Sequence, residues 1–388
     1  MKKLVAMLLV FTMSISLVAC GGNKSSESTS GESKANESTV GDTKAAEENT
    51  AASVENSGEP VSGGTVNIPI TDDPTTLQGW MLRNTNESAL APAIYETLLR
   101  YDETGKPQPF LLESFEGDPE ALTYTMVVRD GITFQDGTPL DAEAVKWNLD
   151  YYKENGVLTG SYFNYVESVE VADDKTVVVH MSQWDALFDY GLARTCFICS
   201  PTAVESLGVD GFNEMPVGTG AFKVTKWVHG EGIYTEKYDQ YWQGTPYLDG
   251  VNFKIYASTA TQQAALEVGD LDIMNLTGDA ITADALKAKG YSMSNAAIPS
   301  TGYTLCFNSQ ADGPLKDLRV RQAIAYAVDT KAICDSLLGD GAYGTESTQW
   351  AISSSAEYNS EVTGYDYDVE KAKALLKEAG YDKGFELT

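Results

Sequence analysis

The first 62 residues lack the side chains from which a folded core could be built. After Cys20, no phenylalanine, tryptophan or tyrosine occurs before Trp80, and residues 21–62 hold only three valines as sizeable apolar groups. Such a segment cannot bury enough apolar surface to offset its conformational entropy. Residues 21–62 are therefore predicted to be a disordered linker, with the folded part beginning at residue 63.

A short basic start and an apolar run precede this linker. Lys2 and Lys3 are followed by residues 4–19, which are apolar apart from one threonine and two serines. This order is typical of a secretory signal peptide. The run is shorter than the roughly 18 residues that a membrane-spanning helix needs. Residues 1–19 are therefore predicted to be a signal peptide.

The last residues of this run, Leu17-Val18-Ala19-Cys20, resemble the lipobox of bacterial lipoproteins. In that group the signal is cleaved before the cysteine, which then carries acyl chains. The resemblance implies lipidation of Cys20, and an ordinary signal peptide with an incidental cysteine is the alternative. An acyl anchor holds a protein at a membrane surface without spanning it, and the linker would then be a flexible tether.

The part after the linker is strongly acidic. The chain carries a net charge of −29, of which about −26 remains after removing the two signal lysines and the net −5 of residues 21–60. Nucleic-acid binders show basic patches, so this charge argues against that class. It also keeps the protein soluble and away from an anionic membrane surface. About 326 residues are too many for one small core and indicate two domains or lobes.

The cysteines Cys196 and Cys199 form a C-x-x-C pattern, which occurs in redox and zinc sites. Here the pattern lies in a strand-like apolar run with no second pair and no nearby histidine. Buried thiols are therefore expected. A local disulfide, or redox or metal chemistry, is the alternative.

Hydrophobic patterns predict strands and hairpins before residue 258. A first strand is expected at residues 63–70 and hairpins at 168–181 and 218–238. Residues 87–101 place apolar side chains at helical spacing and predict a helix. Asp141 is expected to cap a further helix that begins just after it.

From residue 259 onward helical patterns dominate, with one further strand predicted at residues 302–308. This change places a boundary near Ser258 in a mixed α/β protein. Catalytic patterns are sparse: the two histidines, His180 and His229, fall in hairpins, and no H-E-x-x-H, G-x-S-x-G or phosphate-loop motif occurs. The scattered carboxylates leave a glycosidase-like pair open, but the sequence favours a protein without catalysis.

Six segments, in order, resemble the extracytoplasmic solute-binding proteins of ABC importers, in the branch that serves peptides and nickel. The segments are FQDGTPLDAEAVKWNL (134–149), PVGTGAFKVTKW (216–227), YDQYWQGTPYLDGVNFKIY (238–256), ALEVGDLDIM (265–274), LKDLRVRQAIAYAVD (315–329) and DVEKAKALLKEAGY (368–381).

This resemblance implies an α/β, two-lobed periplasmic-binding-protein-like fold whose lobes close on a ligand by a hinge motion. Lobe I would comprise residues 63–258, with a small inserted domain at about 102–182. Lobe II would comprise residues 259–388. Members of the family continue beyond this point, so lobe II is expected to be truncated.

The function that the resemblance implies is capture of a peptide and its delivery to ABC permease subunits, with no cofactor, metal site or chemistry on the ligand. The protein would be a monomer on the extracytoplasmic face of a Gram-positive-type cell membrane, held only by its lipid anchor, or periplasmic in a Gram-negative cell. A nickel chelate or another small solute is the alternative ligand. A peptide-sensing receptor and, more distantly, a secreted hydrolase are alternative functions.

Five residues are expected to contact the ligand, by resemblance. Arg83, Asn84 and Thr85 lie in the loop between the first strand and first helix, which lines the cleft in this family. Arg194 would meet a ligand carboxylate with its bidentate fork, although an arginine at a strand edge facing solvent is the alternative. Tyr303 would stack on the ligand or pack in the core. Two weaker candidates are Trp80 and Tyr162.

Overall fold

The structure, a computed structural model, describes residues 60–388 with short gaps. The gaps are residues 83, 84, 158, 159, 277, 295–303, 311, 340, 350, 352–357, 387 and 388, and the side chains of residues 85 and 86 are likewise undescribed. The predicted signal peptide, Cys20 and most of the predicted linker therefore lie outside the described residues.

Regular elements alternate along the first two thirds of the described chain. The strands are β1 (Thr65–Ile70), β2 (Leu99–Tyr101), β3 (Pro107–Pro109), β4 (Leu112–Asp118), β5 (Thr123–Val128), β6 (Val166–Val171), β7 (Thr176–Met181), β8 (Phe222–Val228), β9 (Gly232–Lys237) and β10 (Gly250–Ile255). The helices are α1 (Thr85–Ile94), α2 (Ala142–Asn155), α3 (Phe188–Arg194), α4 (Pro201–Glu214), α5 (Thr259–Glu267), α6 (Ala280–Ala288), α7 (Leu318–Ala327), α8 (Thr330–Leu338) and α9 (Val369–Glu378).

Two larger sheets and a two-stranded ribbon, β2–β3, organise the described strands. One sheet has the order β1-β10-β9-β8, with β1 and β10 parallel from Thr65↔Gly250 to Ile70↔Ile255 and the other neighbours antiparallel. The other sheet has the antiparallel order β4-β5-β7-β6. The first sheet therefore joins strands that lie on both sides of the second sheet in the sequence.

Several local predictions agree with these elements. The Asp141 side chain accepts a hydrogen bond of 2.9 Å from the Ala144 amide and caps α2. Leu140 and Val145, which flank this cap, are both buried, as expected for a hydrophobic staple. The predicted hairpins form as β6–β7 and β8–β9. Ser258 caps α5 through a capping box at the predicted boundary.

The helix predicted at residues 87–101 is wrong in its second half. Helix α1 ends at Ile94, and the chain then extends into β2. The buried Tyr95 donates a hydrogen bond of 2.7 Å to the Leu77 carbonyl, and Thr97 forms an isolated bridge with Phe197. These contacts with distant segments outweigh helical spacing, which shows how tertiary packing overrides a local pattern.

The strand predicted at residues 302–308 is also absent from its described part, because residues 304–308 pair with none of the described strands. A strand needs a neighbour to satisfy its backbone groups, and the pattern of residue types alone could not show whether one is present.

The core is built around connected aromatic side chains. Phe163 lies between Tyr152 and Phe188, with ring centroids at 6.2 and 5.6 Å, and Tyr124 lies 5.1 Å from Phe188. All four are buried, and each buried aromatic of this size stabilises the fold by roughly 1.5–3 kcal/mol. This core links the second sheet to α2 and α3, whose last residue is Arg194.

Candidate functional site

The parallel strands β1 and β10 end at the same edge of their sheet. The Tyr256 amide, just after β10, donates a hydrogen bond of 2.9 Å to the Ile70 carbonyl at the end of β1. In open α/β sheets, ligands bind outside the carboxyl ends of parallel strands. The loop that leaves this edge, residues 71–82, is therefore the first part of the candidate site.

Asp73 fixes the beginning of this loop to the β8–β9 hairpin. Its carboxylate accepts hydrogen bonds of 2.9 Å from Trp227 Nε1 and 2.8 Å from the Gly230 amide. His229 Nδ1 lies 3.3 Å from the same carboxylate. Both histidines thus occupy hairpins, as predicted, and His229 contacts a loop anchor.

A second group of side chains holds the middle of the loop. The fully buried Glu87 accepts hydrogen bonds of 3.0 and 2.6 Å from the amide and hydroxyl of Thr75. Asn213 Oδ1, on α4, accepts a hydrogen bond of 3.0 Å from the Leu77 amide and lies 2.8 Å from the Thr76 hydroxyl. Hydrogen bonds to three different elements therefore preorganise the loop.

Trp80 secures the end of the loop from within the core. Its ring stacks on Phe212 at 5.3 Å and meets the edge of Tyr151 at 4.8 Å, and its carbonyl accepts a 3.0 Å hydrogen bond from the Val157 amide. Only 3% of Trp80 is exposed. The ring of Trp80 thus packs against protein neighbours, and its contact with a ligand remains a weaker prediction.

Arg194 ends α3 and is exposed. The sequence placed it within a strand-like run, whereas the structure places it in the last turn of a helix, where a cation is favourable. Within the described part of the chain, no ion pair joins its guanidinium to a carboxylate. Its positive charge is therefore available to a ligand.

Tyr101 lies near this arginine and is itself close to two further tyrosines. Burial raises the pKa of Tyr101 to about 12, and the nearby positive charge of Arg194 opposes that rise. The Tyr101 hydroxyl donates a hydrogen bond of 3.1 Å to the Tyr190 carbonyl. Tyr162 is half-buried beside Gly191, also close to Tyr101. These tyrosines come from separate elements, and only Tyr162 was a candidate from the sequence.

Of the five predicted ligand residues, the structure describes the side chain of Arg194 alone. Arg83, Asn84 and Tyr303 lie outside the described residues, and only the backbone of Thr85 is described, as the first residue of α1. The contact of these residues with a ligand remains a prediction.

Cys196 and Cys199 are buried free thiols, in agreement with the expectation. Burial raises the pKa of both thiols above the ordinary value, so both are protonated and unreactive at neutral pH. The run is not a regular strand, because it forms only isolated bridges, from Phe197 to Thr97 and from Cys199 to Gly218.

The described residues hold no group of three metal-ligating side chains that could bind a metal ion. They also hold no helix long and apolar enough to span a membrane.

The buried Glu96 gives the fold a defined pH dependence. Its carboxylate accepts hydrogen bonds of 2.6 Å from the Tyr241 hydroxyl and 2.9 Å from Trp242 Nε1. Desolvation raises its pKa, and the hydrogen bonds from Tyr241 and Trp242 oppose this rise. Because the folded form holds its proton to higher pH than the unfolded form, this carboxyl stabilises the fold fully at low pH and less as pH rises through the folded pKa.

We expect Glu96→Gln to remove that contribution. In urea unfolding between pH 4 and pH 8, the free energy of unfolding of the wild type should fall relative to Glu96→Gln as pH rises, by about 1.4 kcal/mol for each unit of pKa shift. Tyr241→Phe removes a hydrogen bond that lowers the pKa of Glu96, so the decline in this variant should extend to higher pH. Parallel wild-type and Glu96→Gln curves would show that the pKa of Glu96 does not change on folding.

The chain matches the model of a known protein family. Residues 106–388 match the family model described as bacterial extracellular solute-binding proteins, family 5 Middle. The chain belongs to family 5 of the bacterial extracellular solute-binding proteins. Because this family is defined by solute binding, the membership agrees with the expectation of no catalysis.

One similar protein is named for the small solute that it binds. The chain is 31% identical over 319 residues to the glutathione-binding protein GsiB of Salmonella typhimurium, covering 81% of this chain and 61% of that protein. The chain thus spans 61% of the length of this relative.

Solved structures of the same fold contain other solutes. AgaA of A. tumefaciens R10, in complex with agropinic acid, is 30% identical with a TM-score of 0.67, covering 84% of this chain and 66% of that chain. The oligopeptide-binding protein AppA of Bacillus subtilis, in complex with a nonapeptide, is 26% identical with a TM-score of 0.68, covering 83% and 65%. These matches confirm the predicted α/β periplasmic-binding-protein fold.

Proposed function

We propose that this protein is the solute-capturing receptor of an ABC importer, that it binds a short peptide through the peptide's carboxylate, and that it releases the peptide unchanged to permease subunits. The observation that carries the proposal is the exposed, unpaired guanidinium of Arg194 beside tyrosines in a chain of this family. Glutathione, peptides and an opine acid, the solutes named for relatives, all bear carboxylates.

The proposed capture needs two lobes. We place lobe I at residues 63–258 with the inserted domain at about 102–182, and lobe II at residues 259–388. The sheet β1-β10-β9-β8 supports lobe I, since its strands come from residues 65–70 and 222–255, while β4–β7 lie within the proposed inserted domain. The reciprocal hydrogen bonds of Asn67 and Asp272 support a connection between the lobes at β1, since each amide donates to the other residue, at 2.8 and 3.1 Å.

A ligand panel tests the proposed function. Thermal unfolding is measured with glutathione, trialanine, trialanine amide and a nickel–histidine chelate, because a ligand that binds only the folded state raises Tm. We expect the two peptides with free carboxylates to raise Tm, and the amide to raise it less. A shift with the nickel chelate alone would replace the peptide by the alternative ligand, and a flat response to every solute would contradict the proposal.

We also propose that Cys20 carries the lipid anchor and that residues 21–62 tether the folded part to the extracytoplasmic membrane face. Cys20→Ala is expected to abolish incorporation of an alkyne-labelled fatty acid, because the acylated thiol is lost, and to release the protein from the membrane fraction. Ser25→Ala is the matched control and should keep both properties. If Cys20→Ala is labelled as strongly as the wild type, the acyl chain is attached to another residue and the proposed anchor at Cys20 is wrong.

A further inference from the structure

A recess that Arg194 does not line lies between α2 and the start of α4. We call it the α2 groove; its volume is about 580 Å³, within the range of small-molecule pockets. Its apolar wall is formed by Pro139, Ala144, Trp147, Tyr151 and Pro201. None of these residues belongs to the ligand site proposed above.

Two stacked aromatic rings form a rigid platform in this groove. Trp147 and Tyr151, one helical turn apart, lie with ring centroids at 4.6 Å and an interplanar angle of 19°. Both rings are partly exposed, unlike the buried aromatics of the core. Tyr151 is supported from behind by Trp80, whose own ring is held by Phe212. Aromatic faces fixed in this way attract cations.

Carboxylates surround the platform. Asp141, Glu143, Asp150 and Glu154 line the groove with a single cation, Lys146, whose ammonium pairs with Asp150 at 2.5 Å. Within the described residues, neither Glu143 nor Glu154 has an ion pair. Glu154 also occupies the last turn of α2, where the helix dipole disfavours a negative charge. The groove therefore presents uncompensated negative charge beside an aromatic surface.

We propose that the α2 groove binds a small molecule bearing a guanidinium group. A guanidinium is planar, stacks on aromatic faces and carries five N–H donors that pair with carboxylates in a fork. A quaternary ammonium would use the rings but leave the carboxylates without donors.

Nuclear magnetic resonance of the full chain tests this site. The probe is ethylguanidinium, and the reporters are the indole N–H signals of the 6 tryptophans, with the Trp147 signal assigned by its loss in Trp147→Phe. We expect that signal to shift saturably at concentrations on the order of 1–10 mM. Neutral ethylurea should give no saturable shift, and tetramethylammonium, which can use only the rings, should bind more weakly than ethylguanidinium.

Variants that keep the platform intact separate this site from others. The double change Glu143→Gln with Glu154→Gln, on exposed side chains, is expected to weaken ethylguanidinium binding about tenfold. Arg194→Ala and Glu103→Gln, which removes one exposed negative charge outside the groove, should leave the affinity unchanged. The proposal is overturned if the Trp147 signal does not move, if ethylurea moves it equally, or if the double variant binds as the wild type does.

Discussion

Replacing Arg194 by alanine is expected to weaken the binding of a peptide with a free carboxylate by roughly 30-fold to 5,000-fold. Removing one partner of a hydrogen-bonded charge pair that the ligand buries costs about 2–5 kcal/mol. Arg194 is suited to this role because it is exposed at the end of α3 and joins no ion pair in the described part of the chain. Arg194→Lys should be intermediate, since lysine keeps the charge but lacks the planar fork.

The test compares trialanine with trialanine amide by isothermal titration calorimetry. The wild type should prefer the acid over the amide, and Arg194→Ala should lose that preference, which isolates the carboxylate contact from general effects on folding. Lys153→Ala removes one exposed positive charge whose ammonium donates to the Glu167 carbonyl, and it should keep the preference. An Arg194→Ala protein that still discriminates acid from amide would exclude Arg194 as the carboxylate partner.

Gly218→Ala is expected to lower the free energy of unfolding by at least about 3 kcal/mol. This is the second large effect, and it concerns stability. A Cβ atom at Gly218 would collide with the Ile94 carbonyl oxygen and lie 2.5 Å from Tyr95 Cδ1. Gln135 holds the same two backbone segments together, because its Nε2 donates to the Ile94 and Gly220 carbonyls, each at 2.9 Å. The backbone therefore cannot move aside without breaking these bonds.

Urea unfolding measures this loss. The matched control is Gly160→Ala, because a Cβ there meets no atom within 4 Å and the residue does not have a positive φ. We expect Gly160→Ala to change the free energy of unfolding by less than about 0.5 kcal/mol. Equal stability of Gly218→Ala and Gly160→Ala would show that Gly218 packs less tightly against Ile94 and Tyr95 than the structure shows.

These examples show what the sequence could predict about the fold. The Asp141 cap and the hairpins depend on neighbours within a few residues, so local patterns were sufficient. The path after Ile94 depends on Leu77, Phe197 and Gly218, which lie far away in the chain. Gly218 and Gly220 allow the backbone to pack closely against Ile94, which the sequence alone did not show.

The candidate site could be predicted only in part for the same reason. Arg194 stood out as a lone cation in an apolar stretch and by family resemblance. Tyr101 gave no comparable signal, because its proximity to Arg194 arises from the packing of β2 against α3. The anchors of the first loop, Asp73 and Glu87, are ordinary acidic residues in the sequence, and only their hydrogen bonds reveal their role.

The central claim is that the protein captures a peptide and leaves it chemically unchanged. Native mass spectrometry of the protein purified from its host tests this claim most directly. Gentle ionisation should show the chain carrying one small solute, and denaturation should release that solute with an intact peptide's mass. Adding the same peptide to emptied protein should restore the complex and leave the peptide uncleaved after prolonged incubation. Recovery of cleaved products, or failure of emptied protein to rebind the solute, would contradict the proposal.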